Sequence, residues 1–193
     1  MTEHLPERIT DPKALRALSH STRWMLIELL DLEPTATATR CAEFTGESVA
    51  SCSYHLSILA KYGFVEQAEG GTGREKPWRR TRRINVQQAG LEPEAELAAE
   101  VLTEVYLDHE LGRMKEYVRR TGRESERWQM ATGTWAAIAH LTLDELEAVA
   151  AELRAITDRY RDRADERARR PDGARPVRLF LAAYLPTPPP AGE

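Results

Sequence analysis

Between Ser48 and Tyr62 the chain carries residues suited to hydrogen bonding: Ser48, Ser51, Ser53, Tyr54, His55 and Ser57, with the small Ala50 among them. Apolar Val49, Cys52, Leu56 and Leu59 recur through the same run at steps of three, four and three. A helix would gather these on one core face and leave the small and hydrogen-bonding groups on the other. A solvated helix face usually carries Glu and Lys instead. Hydroxyls, a phenol and an imidazole can approach a surface that presents its own donors and acceptors, as base edges do in the major groove of DNA. Further along, the chemistry turns to charge. From Gly70 to Arg83 the cations Arg74, Lys76, Arg79, Arg80, Arg82 and Arg83 face only Glu75, a local net of +5. Such a patch suits a phosphate backbone.

On that reading each residue has a role. Tyr54 and Ser51, mid-helix, meet bases, with Ala50 and Ser53 completing the face, while Ser48 and Ser57 meet phosphates. His55 either contacts phosphate or caps the fold. Arg74 and Lys76 reach phosphates or the minor groove, and Arg79, Arg80 and Arg82 neutralise backbone charge unless, as for Arg80 above all, an acidic neighbour takes them instead.

Helices and a hairpin must position these groups. Asp11-Pro12 is a capping side chain followed by a proline at the first helical position, predicting a short helix to about Leu18. Ser21 is the expected cap of a second helix, whose Trp24, Ile27 and Leu30, flanked by Leu26 and Leu29, repeat at helical steps until Pro34. A third runs from Thr37 to Phe44, with Gly46 supplying the tight turn. Ser48 then caps the helix of the polar face, and Gly63 with Phe64 closes it in a Schellman motif. Phe64–Ala68 and Pro77–Ile84 read as the two strands of a basic hairpin. The order helix, helix, helix-turn-helix, hairpin is that of a winged helix-turn-helix domain.

Two stretches carry a family likeness. Ala17-Leu18-Ser19-His20-Ser21-Thr22-Arg23-Trp24-Met25-Leu26-Ile27-Glu28-Leu29-Leu30 resembles the opening of ArsR-type transcription regulators. Ser53-Tyr54-His55-Leu56-Ser57-Ile58-Leu59-Ala60-Lys61-Tyr62-Gly63-Phe64-Val65 is similar to their recognition helix and its exit into the wing. The resemblance covers residues 11 to 84. It implies a winged helix, DNA binding and dimerisation through the helix after the wing. Many members also hold a metal through a thiolate pair or through His and Asp ligands in the terminal helix. This chain departs from both patterns, because Cys41 has no neighbouring cysteine, Cys52 lies on a core face, and Asp108-His109 lacks a second histidine three or four residues on. No metal and no cofactor are therefore expected. Cys41 and Cys52 read as buried structural thiols, with a thiol switch as the alternative if their helices cross.

The expected class is mainly α with a β-hairpin wing, an α+β chain. It divides into a flexible N-terminus (1–10), a winged helix-turn-helix domain (11–90), a helical dimerisation and effector region (91–185) and a disordered proline-rich tail (186–193). In the helical region, a helix from Pro93 to Arg120 turns Leu97, Val101, Val105, Leu111, Met114 and Val118 inward, with Leu102 and Tyr106 beside them, partly against a second subunit. Thr142 and Glu145 form a capping box for another helix with the stripe Leu143, Leu146, Val149, Leu153, Ile156 and Tyr160. Thr132–Leu141 and Val177–Leu185 are expected to pair as a small two-stranded element. Tyr106, Tyr117, Trp128, Trp135, Tyr160, Phe180 and Tyr184 read as dimer core or as the lining of a pocket for a small-molecule effector of unknown identity.

Composition agrees with an ordinary globular chain: 41% hydrophobic, 30% charged, net charge −4 over 193 residues. The acidic total is uneven, at +1 up to Gly90 and −5 beyond it. Neither an apolar leader at the N-terminus nor a membrane-length apolar run is present, which points to a cytoplasmic protein. No phosphate loop, nucleophile elbow or paired metal motif supports an enzyme. The expected function is sequence-specific regulation of transcription by a homodimer on a pseudo-palindromic DNA operator. The competing reading is a winged-helix module that docks on another protein without binding DNA.

Overall fold

The computed structural model describes residues 8–70, 75–81, 84, 90–160, 162–163 and 167–186. They are mainly helical, with one two-stranded antiparallel sheet. The chain divides into two units, Met1–Glu124 and Ser125–Glu193. Among the described residues no helix is long and apolar enough to cross a membrane.

In the first unit, α1 (Pro12–Leu18) starts where the Asp11 carboxylate accepts from the Lys13 N–H at 3.0 Å, and proline holds the first helical position. Helix α2 (Ser21–Leu32) is capped by His20 rather than by Ser21, which is already helical. The Nδ1 lone pair of His20 accepts from the Thr22 N–H at 3.2 Å and does the work expected of the hydroxyl. Helix α3 (Ala38–Thr45) is capped by Thr37 and stopped by Gly46, whose φ of 77° is open to glycine at little cost. After the turn, Ser48 caps α4 (Val49–Lys61) by accepting from the Ser51 N–H at 3.1 Å. Gly63, at φ 69°, leads out of α4, and the Phe64 N–H reaches back to the Leu59 carbonyl at 2.9 Å, the Schellman bond.

Strands β1 (Val65–Gln67) and β2 (Trp78–Arg80) pair with Val65 opposite Arg80 and Gln67 opposite Trp78. The ladder is shorter than the sequence predicts, though single bonds extend it from the Ala68 N–H to Pro77 and from the Thr81 N–H to Phe64. Reciprocal backbone bonds between Ala36 and Trp78 fasten the hairpin to the segment before α3.

Leu15, Leu18, Leu26, Leu29, Leu56, Leu59 and Phe64 fill the core between α1, α2 and α4, each contributing about 1.5–3 kcal/mol by leaving water. Two expectations fail at its edges. Ile9, placed by sequence in a flexible N-terminus, is buried in this core, while residues 1–7 of that segment lie outside the described residues. Val49, read as a core position, is exposed, because the first residue of α4 projects past the edge of the core.

Helix α5 (Pro93–Arg120) packs on α1 within this first unit. Its buried face is Ala95, Ala98, Ala99 and Leu102, with Val105 and Tyr106 packed beside them. Leu97, Val101, Leu111 and Val118, expected to point inward, are exposed. Alanines allow the two backbones to approach closely, and that contact turns the leucine and valine stripe outward. Farther along, the Tyr106 ring packs at a tilt of 45° against Trp24, their centroids 4.7 Å apart. Glu28 Oε2 accepts from Arg113 Nε at 2.7 Å and lies 3.1 Å from His109 Nε2, tying α2 to α5.

The second unit holds α6 (Glu126–Ala131), which the sequence patterns did not predict, and α7 (Leu143–Asp158). The capping box of α7 is formed: Thr142 Oγ1 accepts from the Glu145 N–H at 3.3 Å, and Glu145 Oε2 accepts from the Thr142 N–H at 2.8 Å. No described residue of α6 or α7 is buried. The two-stranded element is absent from the described residues: Thr132–Leu141 and Val177–Leu185 are irregular and unbridged, with Trp135 80% and Ile138 83% exposed. Strand pairing gains mainly from packing one sheet face on a core, and this unit offers these side chains none. Of the expected tail, Pro186 is exposed and residues 187–193 lie outside the described residues.

Candidate nucleic-acid interface

Helix α4 presents Ser48, Ala50, Tyr54 and Ser57 to solvent, with Ser51 and Ser53 half-buried. Tyr54 is 61% exposed, much for a phenol ring with no surface to cover it. The hydroxyls are not equivalent. Ser48 Oγ accepts the capping N–H and keeps its own O–H for an outside acceptor. Ser57 Oγ donates to the Ser53 carbonyl at 2.8 Å, so its proton is committed within the helix and the phosphate role expected of it requires that bond to break.

His55 leaves the polar face altogether. It is buried, its Nδ1 accepts from Arg23 Nε at 3.3 Å, and its ring lies 4.4 Å from that of His20 and edge-on to Tyr54 at 5.3 Å. Burial above all, then His20 and Arg23, lower its pKa against a weaker opposing pull from Glu47. Burial, then Arg23, lowers that of His20. Both imidazoles are therefore neutral at pH 7. Of the two sequence readings, phosphate contact or cap of the fold, the geometry has the second: His55 holds α2 against α4 and backs the Tyr54 ring.

The hairpin cations are unevenly occupied. Arg79 Nη2 pairs with Glu66 Oε1 across the strands at 2.6 Å, and Arg80 pairs with Asp31 of α2. The acidic alternative foreseen for Arg80 is thus the one adopted. Glu75 accepts from the Thr39 N–H at 3.1 Å and from its hydroxyl at 2.8 Å, fixing the returning arm to the start of α3. Lys76 is exposed and has no ion pair among the described residues. Arg74, Arg82 and Arg83 lie outside the described residues.

Sequence reasoning missed a second set of cations. Lys13, Arg16 and Arg23 line a shallow cleft with Ile58 and Tyr62, beside α4. Arg16 pairs with Glu94 of α5 at 2.9 Å, and Arg23 Nη1 donates to the Ala17 carbonyl at 2.5 Å. The i, i+3 spacing of Lys13 and Arg16 was legible, but their approach to α4 depends on how the helices cross.

Cys41 and Cys52 are both fully buried, and the Cys41 thiol is pushed up to about 12 by burial and by the neighbouring Cys52. Cys52 Sγ contacts Thr45 Oγ1 at 3.4 Å. A thiol held so far above neutral pH stays protonated and unreactive. His109, the terminal-helix residue considered as a ligand, is occupied with Glu28. Burial would raise the Glu28 carboxyl, but the nearby His109 ring and the hydrogen bond from Arg113 outweigh it and hold the group below the usual carboxylate range.

The aromatic residues of the second half serve separate contacts. In the first unit, Tyr106 lies on Trp24 and Tyr117 under Arg120. In the second, Trp128 lies under Arg175 and Tyr160 under Arg163, while Trp135 and Tyr184 are exposed. No family model matches the chain, and no curated protein matches it either.

Proposed function

We propose that this chain is an ArsR-like, winged helix-turn-helix regulator of transcription that binds double-stranded DNA as a homodimer in the cytoplasm. The observation that carries the reading is the outer face of α4: Ser48, Ala50, Ser51 and Tyr54 form a surface of small and hydrogen-bonding groups, and α4 itself contains no acidic residue. A helix with such a face, entered through a glycine turn and followed by a two-stranded hairpin, is suited to the major groove. Tyr54 and Ser51 read base edges and Ser48 donates to phosphate. Lys76, with Arg74, reaches the flanking backbone. The exposed Leu97, Val101, Leu111 and Val118 of α5 supply an apolar surface for a second subunit, so that two α4 helices enter successive grooves of a pseudo-palindrome.

Selection of bound duplexes from a random pool by the purified protein tests this. An inverted repeat with half-sites about one helical turn apart is the expected result. A pool without an enriched motif would sink it.

One observation favours the competing reading, a winged-helix module that docks on protein. Arg79 and Arg80 are already paired, which weakens the positive field of the hairpin. Salt titration separates the two, because a protein that displaces counterions from several phosphates loses affinity steeply as salt rises. Absence of duplex binding at low salt selects the docking module.

A further inference from the structure

Along α7 and the turn after it, Leu146, Val149, Leu153, Ile156 and Tyr160 follow one another at steps of three, four, three and four, the spacing of a heptad seam. None is buried: Val149 is 38%, Ile156 43% and Tyr160 45% exposed. An apolar stripe of this length left open to water marks a contact surface.

The charges beside the seam say what fits it. Acidic Asp144, Glu145, Glu147 and Glu152 occupy the first part of the helix, and Arg154 and Arg159 the later part, with Asp158 between them but away from the seam. Glu152 and Arg159 stand seven residues apart on the same edge of the seam. Neither has an ion-pair partner among the described residues. Along that edge the order Glu145, Glu152, Arg159 runs from acidic to basic and is complementary to itself turned end for end.

We propose that α7 pairs antiparallel with α7 of a second copy of this chain. Setting Leu153 opposite Ile156 of the second copy brings Val149 opposite Tyr160 and Glu152 opposite Arg159, and two-fold symmetry makes every one of these contacts twice. A parallel pair would instead set Glu152 beside Thr157 and Glu145 beside Ala150, leaving the charges without partners. This contact stands on the seam alone and does not rest on the DNA-binding reading.

Two measurements on the full chain test it. Leu153→Cys and Ile156→Cys proteins, mixed and mildly oxidised, should form a mixed disulfide faster than either forms its own. Preferential linkage of position 153 to position 153, or no linkage in the mixture, overturns the antiparallel seam. That holds even if the protein is dimeric through another surface, and loss of DNA binding leaves the result untouched. In sedimentation, Glu152→Arg and Arg159→Glu should each weaken self-association about tenfold, and the double exchange should restore it. Single variants without effect, or a double variant no better than either, also overturn the proposal.

Discussion

The Nε–H of Arg23 donates to Nδ1 of His55 across 3.3 Å, joining α2 to the helix that carries the polar face. Because Arg23 stays protonated, this nitrogen of His55 must be an acceptor, and protonating it means breaking the bond. His20, whose Nδ1 is held by the Thr22 N–H, is in the same position.

Stability should therefore depend on pH in a defined window. The pKa values of both histidines are lowered in the fold from an ordinary 6.5, so just below that pH the unfolded chain binds more protons than the folded one. Their contribution is complete above that value and is lost as pH falls toward the folded pKa. Thermal melting from pH 8 to pH 5 should show a decline that His55→Gln makes shallower. A melting temperature that rises on acidification through this window, or a slope unchanged in the variant, would contradict it. The low pKa of Glu28 acts only at more acidic pH, below the ordinary carboxylate value, and does not overlap.

The two sides of α5 should respond oppositely to substitution. Ala99, fully buried against the rest of the first unit, leaves no room for a larger side chain, and Ala99→Leu should cost about 1–3 kcal/mol in denaturant unfolding. Exposed Leu97→Ala should stay within about 0.5 kcal/mol of the parent under conditions where the chain is monomeric.

Arg80 and Lys76 should separate fold from charge. Arg80→Ala removes the partner of Asp31 and should lower stability by on the order of 1 kcal/mol. Lys76→Ala, exposed and unpaired among the described residues, should leave unfolding unchanged and reduce the salt slope of DNA binding by about one.

Within the proposed DNA-binding face, Tyr54→Ala and Ser51→Ala should alter the preference among operators, each good base contact discriminating by about 1–3 kcal/mol. Arg74→Ala combined with Lys76→Ala should weaken binding to all sequences alike. Competition between operator and scrambled duplexes measures both, and the reverse pattern would exchange the roles assigned to helix and hairpin.

What the sequence determined by itself is local. Asp11, Ser48 and Thr142 cap helices, Gly46 and Gly63 end them at positive φ, and the three- and four-residue spacing of Cys52, Leu56 and Leu59 orients α4. Each of these acts between residues at most five apart, so the chain states it directly. Only the tertiary structure decided which partner each surface meets. It buried Ala95, Ala98 and Ala99 of α5 with Leu102 and turned Leu97, Val101, Leu111 and Val118 outward, because close approach to α1 favours small side chains. It drew His55 inward to Arg23 and His20, and gave Arg79 and Arg80 to Glu66 and Asp31. It also left Thr132–Leu141 and Val177–Leu185 unpaired despite their strand-like composition. Contacts between residues tens of positions apart depend on how helices cross, and composition and periodicity leave that undetermined.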